Sequence, residues 1–302
     1  MAITRRHFII TSTSALTAWA FPFNKIFAQA SQGTFNVLRR NVGTFEHRGG
    51  TIGWLADKEA LVVVDTQFPE SAEICWNGLQ KKTTRKIDVL LNTHHHGDHT
   101  AGNFFFNHHT SRIVAHENVP VLQKKAAEQR GTPDQQVYAN ETFAESWQEN
   151  LGSEIISARY YGPAHTGGDA VIHFQKADIV HMGDLIFNRI PPYIDRPAGA
   201  SIQNWAEILE NIHKQYSDET IFIFGHGNPE YGISGSRSDL LAMRDFLSGL
   251  LEYTREGIKQ GKSREEIAAI ERLPKFNEYY NERRKDGIAS CIKTAFEELT
   301  AE

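Results

Sequence analysis

The chain has 302 residues, 40% of them hydrophobic, and a formal net charge of −5. That is ample for a buried core, and with 37 acidic against 32 basic residues and no dense Lys/Arg cluster it excludes nucleic acid as a partner. Two cysteines, Cys75 and Cys291, fall in stretches that read as helices (70–81 and 287–299), so both are expected as reduced, packed thiols.

Thr4-Arg5-Arg6-His7-Phe8-Ile9 opens the chain, an uncharged stretch from Phe8 to Asn24 follows, and Ala28-Gln29-Ala30 supplies the small residues a signal peptidase needs. Residues 1–30 thus resemble a twin-arginine export signal, which predicts a periplasmic or secreted mature chain with no stable membrane span. Its Ser/Thr-rich run at 11–17 is too polar for an anchor, and no later segment is long and apolar enough to cross a membrane. Removing these residues, which hold Arg5, Arg6, Lys25 and no acid, leaves 29 basic against 37 acidic residues, or −8.

Apolar or alternating runs at 35–40, 43–48, 51–56 and 60–65 predict an antiparallel meander, followed by a helix over 70–81. Strand 87–92 comes next, then a helix from about Gly102, strand 112–115 and a helix-rich stretch over 117–130. Residues 131–150 are polar, contain proline and read as a loop or a flap over the site. Runs at 155–160, 170–175, 179–182 and 220–224 predict a second sheet. Beyond Tyr231 the pattern turns helical, with a helix over 236–260, a capping box Ser263-Arg264-Glu265-Glu266 before a helix over 267–273, a break at Pro274 and a last helix. Tyr279, Tyr280 and Arg283-Arg284-Lys285 read as a solvated helix face.

The chemistry concentrates in Asn92-Thr93-His94-His95-His96-Gly97-Asp98-His99-Thr100, which follows the apolar run 87–91. Four histidines and an aspartate within six residues make a metal site: His94 and His96, two apart in an extended turn, point the same way, while Asp98 and His99 face a second cation. Imidazole nitrogen with carboxylate oxygen suits Zn²⁺, with Fe and Mn also compatible. A dinuclear centre needs further ligands, and three more segments place a His or Asp beside glycine at the end of an apolar run: Gly162-Pro163-Ala164-His165-Thr166-Gly167-Gly168-Asp169, His181-Met182-Gly183-Asp184 and Gly225-His226-Gly227. His95 points away from its neighbours and reads as a support behind the ligands or as packing. Thr93, Thr100, Thr166 and Asp169 are candidates to orient the ligand rings.

In type, order and strand-end placement, these four segments resemble the metallo-β-lactamase superfamily from about Phe35 to Tyr231. The resemblance implies an α+β fold, a four-layer αββα sandwich with the metals at one edge between two sheets. It divides the chain into a signal (1–30), a catalytic domain (31–235) and a C-terminal helical extension (236–302) packed on the same domain. Carried over residue by residue, it makes His94, His96 and His165 the ligands of one metal and Asp98, His99 and His226 those of the other, with Asp184 bridging. The carboxylate at 184 is similar to the glyoxalase II arrangement and departs from β-lactamases with a cysteine at the second metal, since neither Cys75 nor Cys291 lies near a motif.

The reading is an exported hydrolase holding two Zn²⁺ per chain, with a metal-bridging hydroxide attacking an ester, lactone, amide or β-lactam type bond of a small molecule. Asp98 is a candidate for proton transfer as well as ligation. Residues 187–193 are expected beside the metals; Tyr193, Arg196, Trp54 and Tyr231 are candidates to touch substrate, Arg196 by pairing a carboxylate, although each reads first as structural. The C-terminal helices are expected to pack on the sandwich, with a dimer contact, and so a homo-oligomer, or a place along the substrate cleft as the alternatives. The alternatives are an iron-dependent redox enzyme of the same fold, similar to persulfide dioxygenases or flavodiiron proteins, and a non-catalytic metal-binding protein.

Overall fold

The computed structural model describes residues 32–301, so the predicted export signal lies outside the described residues. Strands β1 (Thr34–Arg39), β2 (Val42–Glu46), β3 (Ile52–Ala56) and β4 (Leu61–Val64) form the expected antiparallel meander. The sheet continues in parallel register through β5 (Val89–Leu91), β6 (Ile113–His116) and β7 (Glu141–Phe143), giving seven strands in sequence order. The second sheet holds β8 (Ser146–Leu151), β9 (Glu154–Tyr160), β10 (Ala170–Phe174), β11 (Ile179–His181), β13 (Ile221–Ile223) and β15 (Ser234–Gly235), in the order β15-β13-β11-β10-β9-β8. A two-residue parallel pair, β12 (Phe187–Asn188) with β14 (His226–Gly227), stands apart from both.

The period of two along each strand builds the layers. In β4, Val62 and Val64 face the second sheet and, with Val89 and Leu91 of neighbouring β5, pack against Ile156, Ile172, Phe174 and Ile179. Leu61 and Val63 face outward and are covered by Ala72, Cys75 and Leu79 of helix α1 (Pro69–Leu79). Strands buried on both faces must be apolar throughout, which is why β3 to β6 read as unbroken hydrophobic runs. Between β5 and β6 the chain makes two single turns, α2 (Gly97–Thr100) and α3 (Asn103–Phe106), where one longer helix was expected. Helix α4 (Asn118–Arg130) follows β6 and ends on Gly131, whose φ of 67° closes the last turn at no side-chain cost.

The outer face of the second sheet, with Val171, Val180, Phe222 and Phe224, is covered by α5 (Ile202–Gln215), α6 (Arg237–Lys259) and α8 (Gly287–Thr300). The C-terminal segment therefore completes the fourth layer of an αββα sandwich, and at roughly 1.5–3 kcal/mol for each fully buried Leu, Ile or Phe its removal would uncover the sheet. Cys75 and Cys291 are free and buried in opposite outer layers, as two packed thiols should be. Among the described residues no helix is long and apolar enough to cross a membrane.

Three expectations are corrected. Residues 131–150 are not a flap: β7 and β8 make up most of their second half and run along the edges of the two sheets. Their polarity is that of edge strands, where Ser146, Gln148 and Asn150 alternate exposed with the half-buried Trp147 and Glu149. The helix expected over 267–273 shortens to the single turn α7 (Arg264–Ile267), which does carry the Ser263/Glu266 capping box. Of the supposed solvated face, Tyr279 departs, being buried and stacked on Phe246 at 4.1 Å, whereas Arg284 and Lys285 are exposed as expected. Helix α5 had no counterpart in the sequence reading, although Trp205, Ile208, Leu209 and Ile212 recur at helical spacing.

Candidate metal centre

The end of β5 delivers the histidine-rich loop to one edge of the interface between the sheets, and the turn of α2 separates its side chains into two groups. In the first group His94 Nε2 lies 3.1 Å and His165 Nε2 2.9 Å from His96 Nδ1, and Asp184 Oδ2 lies 3.7 and 3.5 Å from the His94 and His165 nitrogens. In the second, His226 Nε2 is 3.2 Å from Asp98 Oδ2 and 3.4 Å from His99 Nε2. Asp184 stands between the groups, with Oδ1 3.0 Å from His99 Nε2 and Oδ2 3.4 Å from His226 Nε2. All seven predicted residues thus converge, and within each group the ligand-capable atoms lie within 4.8 Å of one another.

The opposite nitrogen of four of these rings is held by an oxygen. Thr93 Oγ1 is 3.0 Å from His94 Nδ1, Asp195 Oδ2 2.9 Å from His96 Nε2, the Tyr193 carbonyl 2.7 Å from His165 Nδ1, and Asp65 Oδ2 2.7 Å from His99 Nδ1. An N–H donated outward leaves the inward nitrogen with its lone pair, the form that binds a cation. His226 is positioned by β14 and by stacking on Phe187, with ring centroids 5.2 Å apart. Space is reserved by glycine: a Cβ at Gly225 would stand 2.0 Å from Asp184 Oδ1, and one at Gly50 2.0 Å from the His99 ring.

Electrostatics divide the two groups: His94 and His165 of the first are kept neutral, while His99 and His226 of the second are held protonated by the carboxylates around them, protons that a bound cation would displace. Burial pushes His165 down to about 3 and His94 well below the usual imidazole range, with neighbouring histidines adding to the effect, so both rings are neutral. Burial would raise Asp98 and Asp184, but His99 and His226 outweigh it, holding Asp98 at about 2 and Asp184 well below the carboxylate range. His226 is the converse, because burial would lower it while Asp184 and Asp98 raise it to about 9.

The donor set fits two divalent cations. Asp184 Oδ1 is buried and accepts no hydrogen bond, which is costly for a carboxylate oxygen without a cation to receive it. The ring nitrogens at 2.9 and 3.1 Å are close to the edge of about 3.3 Å set by tetrahedral ligands at roughly 2.0 Å from zinc.

The other predicted contacts divide. Tyr193 and residues Phe187 and Ile190 of the 187–193 loop line a cavity of about 870 Å³ over the centre, with Phe68, Asp98 and His226. Trp54 is buried in the outer core, Arg196 is taken by Glu298, and Tyr231 lies outside the cavity beneath Arg189, so none of these three reaches it. Thr100, Thr166 and Asp169 bond backbone or each other rather than a ligand ring; only Thr93 orients one. His95 joins neither of the two ligand groups, as expected, and stands behind them: its Nε2 is 3.6 Å from Oδ2 of Asp195, the carboxylate that holds His96, and it lines the cavity. Asp65 and Asp195 escaped the sequence reading. Asp65 had one signal, an acid closing the apolar run Leu61-Val62-Val63-Val64, where a buried charge demands a partner.

Two His/Asp groups sharing a buried carboxylate at the edge of an αββα sandwich define a metal-dependent hydrolase. Residues 47–226 match the Metallo-beta-lactamase superfamily, and the chain belongs to it. Metallo-beta-lactamase IND-1 of Chryseobacterium indologenes is 20% identical over 174 residues, 57% of this chain and 70% of its own length. The alpha subunit of 2,4-dinitroanisole O-demethylase of Nocardioides sp. (strain JS1661) is 28% identical over 176 residues, 55% of this chain and 49% of its own. Among solved structures, the stereoselective inverting sec-alkylsulfatase Pisa1 from Pseudomonas sp. superposes with a TM-score of 0.70 at 12% identity, covering 89% of this chain and 50% of that one. DIM-1 metallo-beta-lactamase gives 0.58 at 20% identity, with 72% and 97% covered. The chain thus spans about half the length of the alkylsulfatase, and these structural likenesses concern the fold. Superfamily and donor set together imply divalent metal binding.

Proposed function

We propose that the protein is an exported dinuclear zinc hydrolase acting on an ester, lactone, amide or β-lactam type bond of a small molecule. The observation that carries this is Asp184, a buried carboxylate whose two oxygens face the two His/Asp groups beside one open cleft. His94, His96 and His165 would hold one metal, Asp98, His99 and His226 the other, and Asp184 both. When bound, the pair of cations would supply a water acidic enough to attack at neutral pH and would polarise the scissile bond. The chain's own residues do the rest. The oxygens of Asp65, Thr93, Tyr193 and Asp195 fix the ring orientations, Phe68, Phe187 and Ile190 exclude water from one side of the cleft, and the part-exposed Asp98 carboxylate is placed to move a proton as the leaving group departs.

The test is metal analysis of the purified chain joined to a panel of esters, lactones, amides and β-lactams. We expect close to two zinc ions per chain, turnover of at least one class, and loss of chiefly the second metal in His99→Ala. Saturation at one metal per chain overturns the dinuclear assignment, and iron with visible absorption favours redox chemistry instead. Two metals without turnover on any class favour a metal-binding protein.

Export rests on Arg5, Arg6 and the 28–30 cleavage region. Changing both arginines to lysine should hold the precursor in the cytoplasm, because the pathway reads the pair as an address and not as charge. Fractionation showing unchanged delivery and cleavage would refute the signal.

A further inference from the structure

Building on the hydrolase reading above, we infer that the cleft selects an amphiphilic anion, its charged group held by Arg130 and Arg284 and its apolar body lying on Phe68, Phe187, Ile190 and Tyr193. Arg130 is the last residue of α4, and Arg284 belongs to the turn Glu282–Arg284 of the C-terminal extension, so two distant parts of the chain each bring an arginine to the lining of one cavity. Both are exposed, and neither has an ion-pair or side-chain hydrogen-bond partner among the described residues.

Their neighbours show what is unusual in this. Arg189 is paired with Asp239 and Arg196 with Glu298, so the arginines of the loop beside the centre are neutralised by structure. The carboxylates that line the cavity are also engaged: Asp98 and Asp184 face the site histidines, and Asp195 is bonded to His96. No acid in the lining is left to compete for Arg130 or Arg284. In a chain of net charge −5, two arginines on one cavity wall, without an ion-pair partner among the described residues, offer an incoming anion positive charge that no neighbouring carboxylate cancels directly. Guanidinium forks match carboxylate, sulfonate and phosphate oxygens. Phe68, Phe187, Ile190 and Tyr193 give the same cavity an apolar wall, which suits a ligand that carries an apolar body as well as a charge.

The test uses the metal-loaded mature protein and two probes of equal shape, octanesulfonate and its neutral isostere octyl methyl sulfone, with binding read by calorimetry at low ionic strength. The sulfonate should bind about tenfold more tightly than the sulfone, a difference of about 1.4 kcal/mol. Arg130→Ala and Arg284→Ala should each remove part of that preference, and the double variant should bind the two probes alike, with affinity for the sulfone, metal content and melting temperature unchanged. Wild type that does not discriminate, or a double variant that still does, overturns the inference. The two readings fail separately. Arginine-dependent sulfonate binding without turnover on any panel leaves the anion site standing and removes the hydrolase, whereas turnover without discrimination does the reverse.

Discussion

Asp184→Asn should lower kcat by on the order of 10² or more, a rise in barrier of about 2.7 kcal/mol, while leaving the fold intact. Asp184 is buried among His94, His99, His165 and His226, and each of its oxygens faces ring nitrogens at 3.0–3.7 Å. An amide of the same shape loses the charge that offsets the repulsion of two cations and turns one acceptor into a donor aimed at them. Gly225, which has no Cβ, leaves the space that the side chain at 184 occupies, so an amide of the same size fits there. The measurement is turnover at saturating zinc with metal content determined on the same samples. His95→Ala is the control, because His95 joins neither proposed ligand set, and it should keep its metal. Native metal content and turnover in Asp184→Asn, together with metal loss in His95→Ala, would sink the proposed ligand register.

How much of this was legible in the sequence depends on range. Residues that declare themselves locally were found: the histidine loop 94–99, the glycine-flanked His165 and His226, and Asp184 after its apolar strand, all of which converge. Strands buried on both faces, such as Leu61–Val64, were equally plain because no polar residue interrupts them. The polar edge strands Glu141–Phe143 and Ser146–Leu151 were not, since half of their side chains meet water and their identity comes from pairing with β6 and β9. Partners that act across long separations were invisible for the same reason. Asp195 meets His96 across 99 residues, and Arg284 reaches the cleft from the far end of the chain, and nothing in the spacing marks either. Arg196 and Trp54 show the structural reading prevailing over the functional one, since a residue whose chemistry suits a site is already engaged by Glu298 or by the core.

Asp65→Asn should weaken both metals, the second by about 10- to 100-fold, although Asp65 touches neither group's inward nitrogens. Its Oδ1 accepts from the Thr93 backbone N–H at 2.8 Å, and its Oδ2 accepts both from the Thr93 hydroxyl at 2.7 Å and from His99 Nδ1 at 2.7 Å. The Thr93 hydroxyl, having spent its proton on Asp65, can only accept from His94 Nδ1 at 3.0 Å. One buried carboxylate therefore fixes the tautomer of a ring in each group, leaving Nε2 of both His94 and His99 free to face inward. Asparagine is the informative replacement because it tolerates the left-handed backbone of Asp65, whose φ is 61°, so strain does not confound the result. Its amide can accept through only one side, which leaves at least one of the three buried donors unpaired at a cost of about 1–3 kcal/mol, or roughly 2–10 °C in melting temperature for a chain of this size. If the amide nitrogen faces His99, the ring is driven to carry its proton on Nε2 and the second metal goes first. Thr93→Val separates the two arms: it cuts only the path to His94, so the first metal should weaken while the second stays near native. Metal titrations of the three proteins decide it, and equal affinity for both metals in wild type and Asp65→Asn would show that Asp65 serves the fold alone.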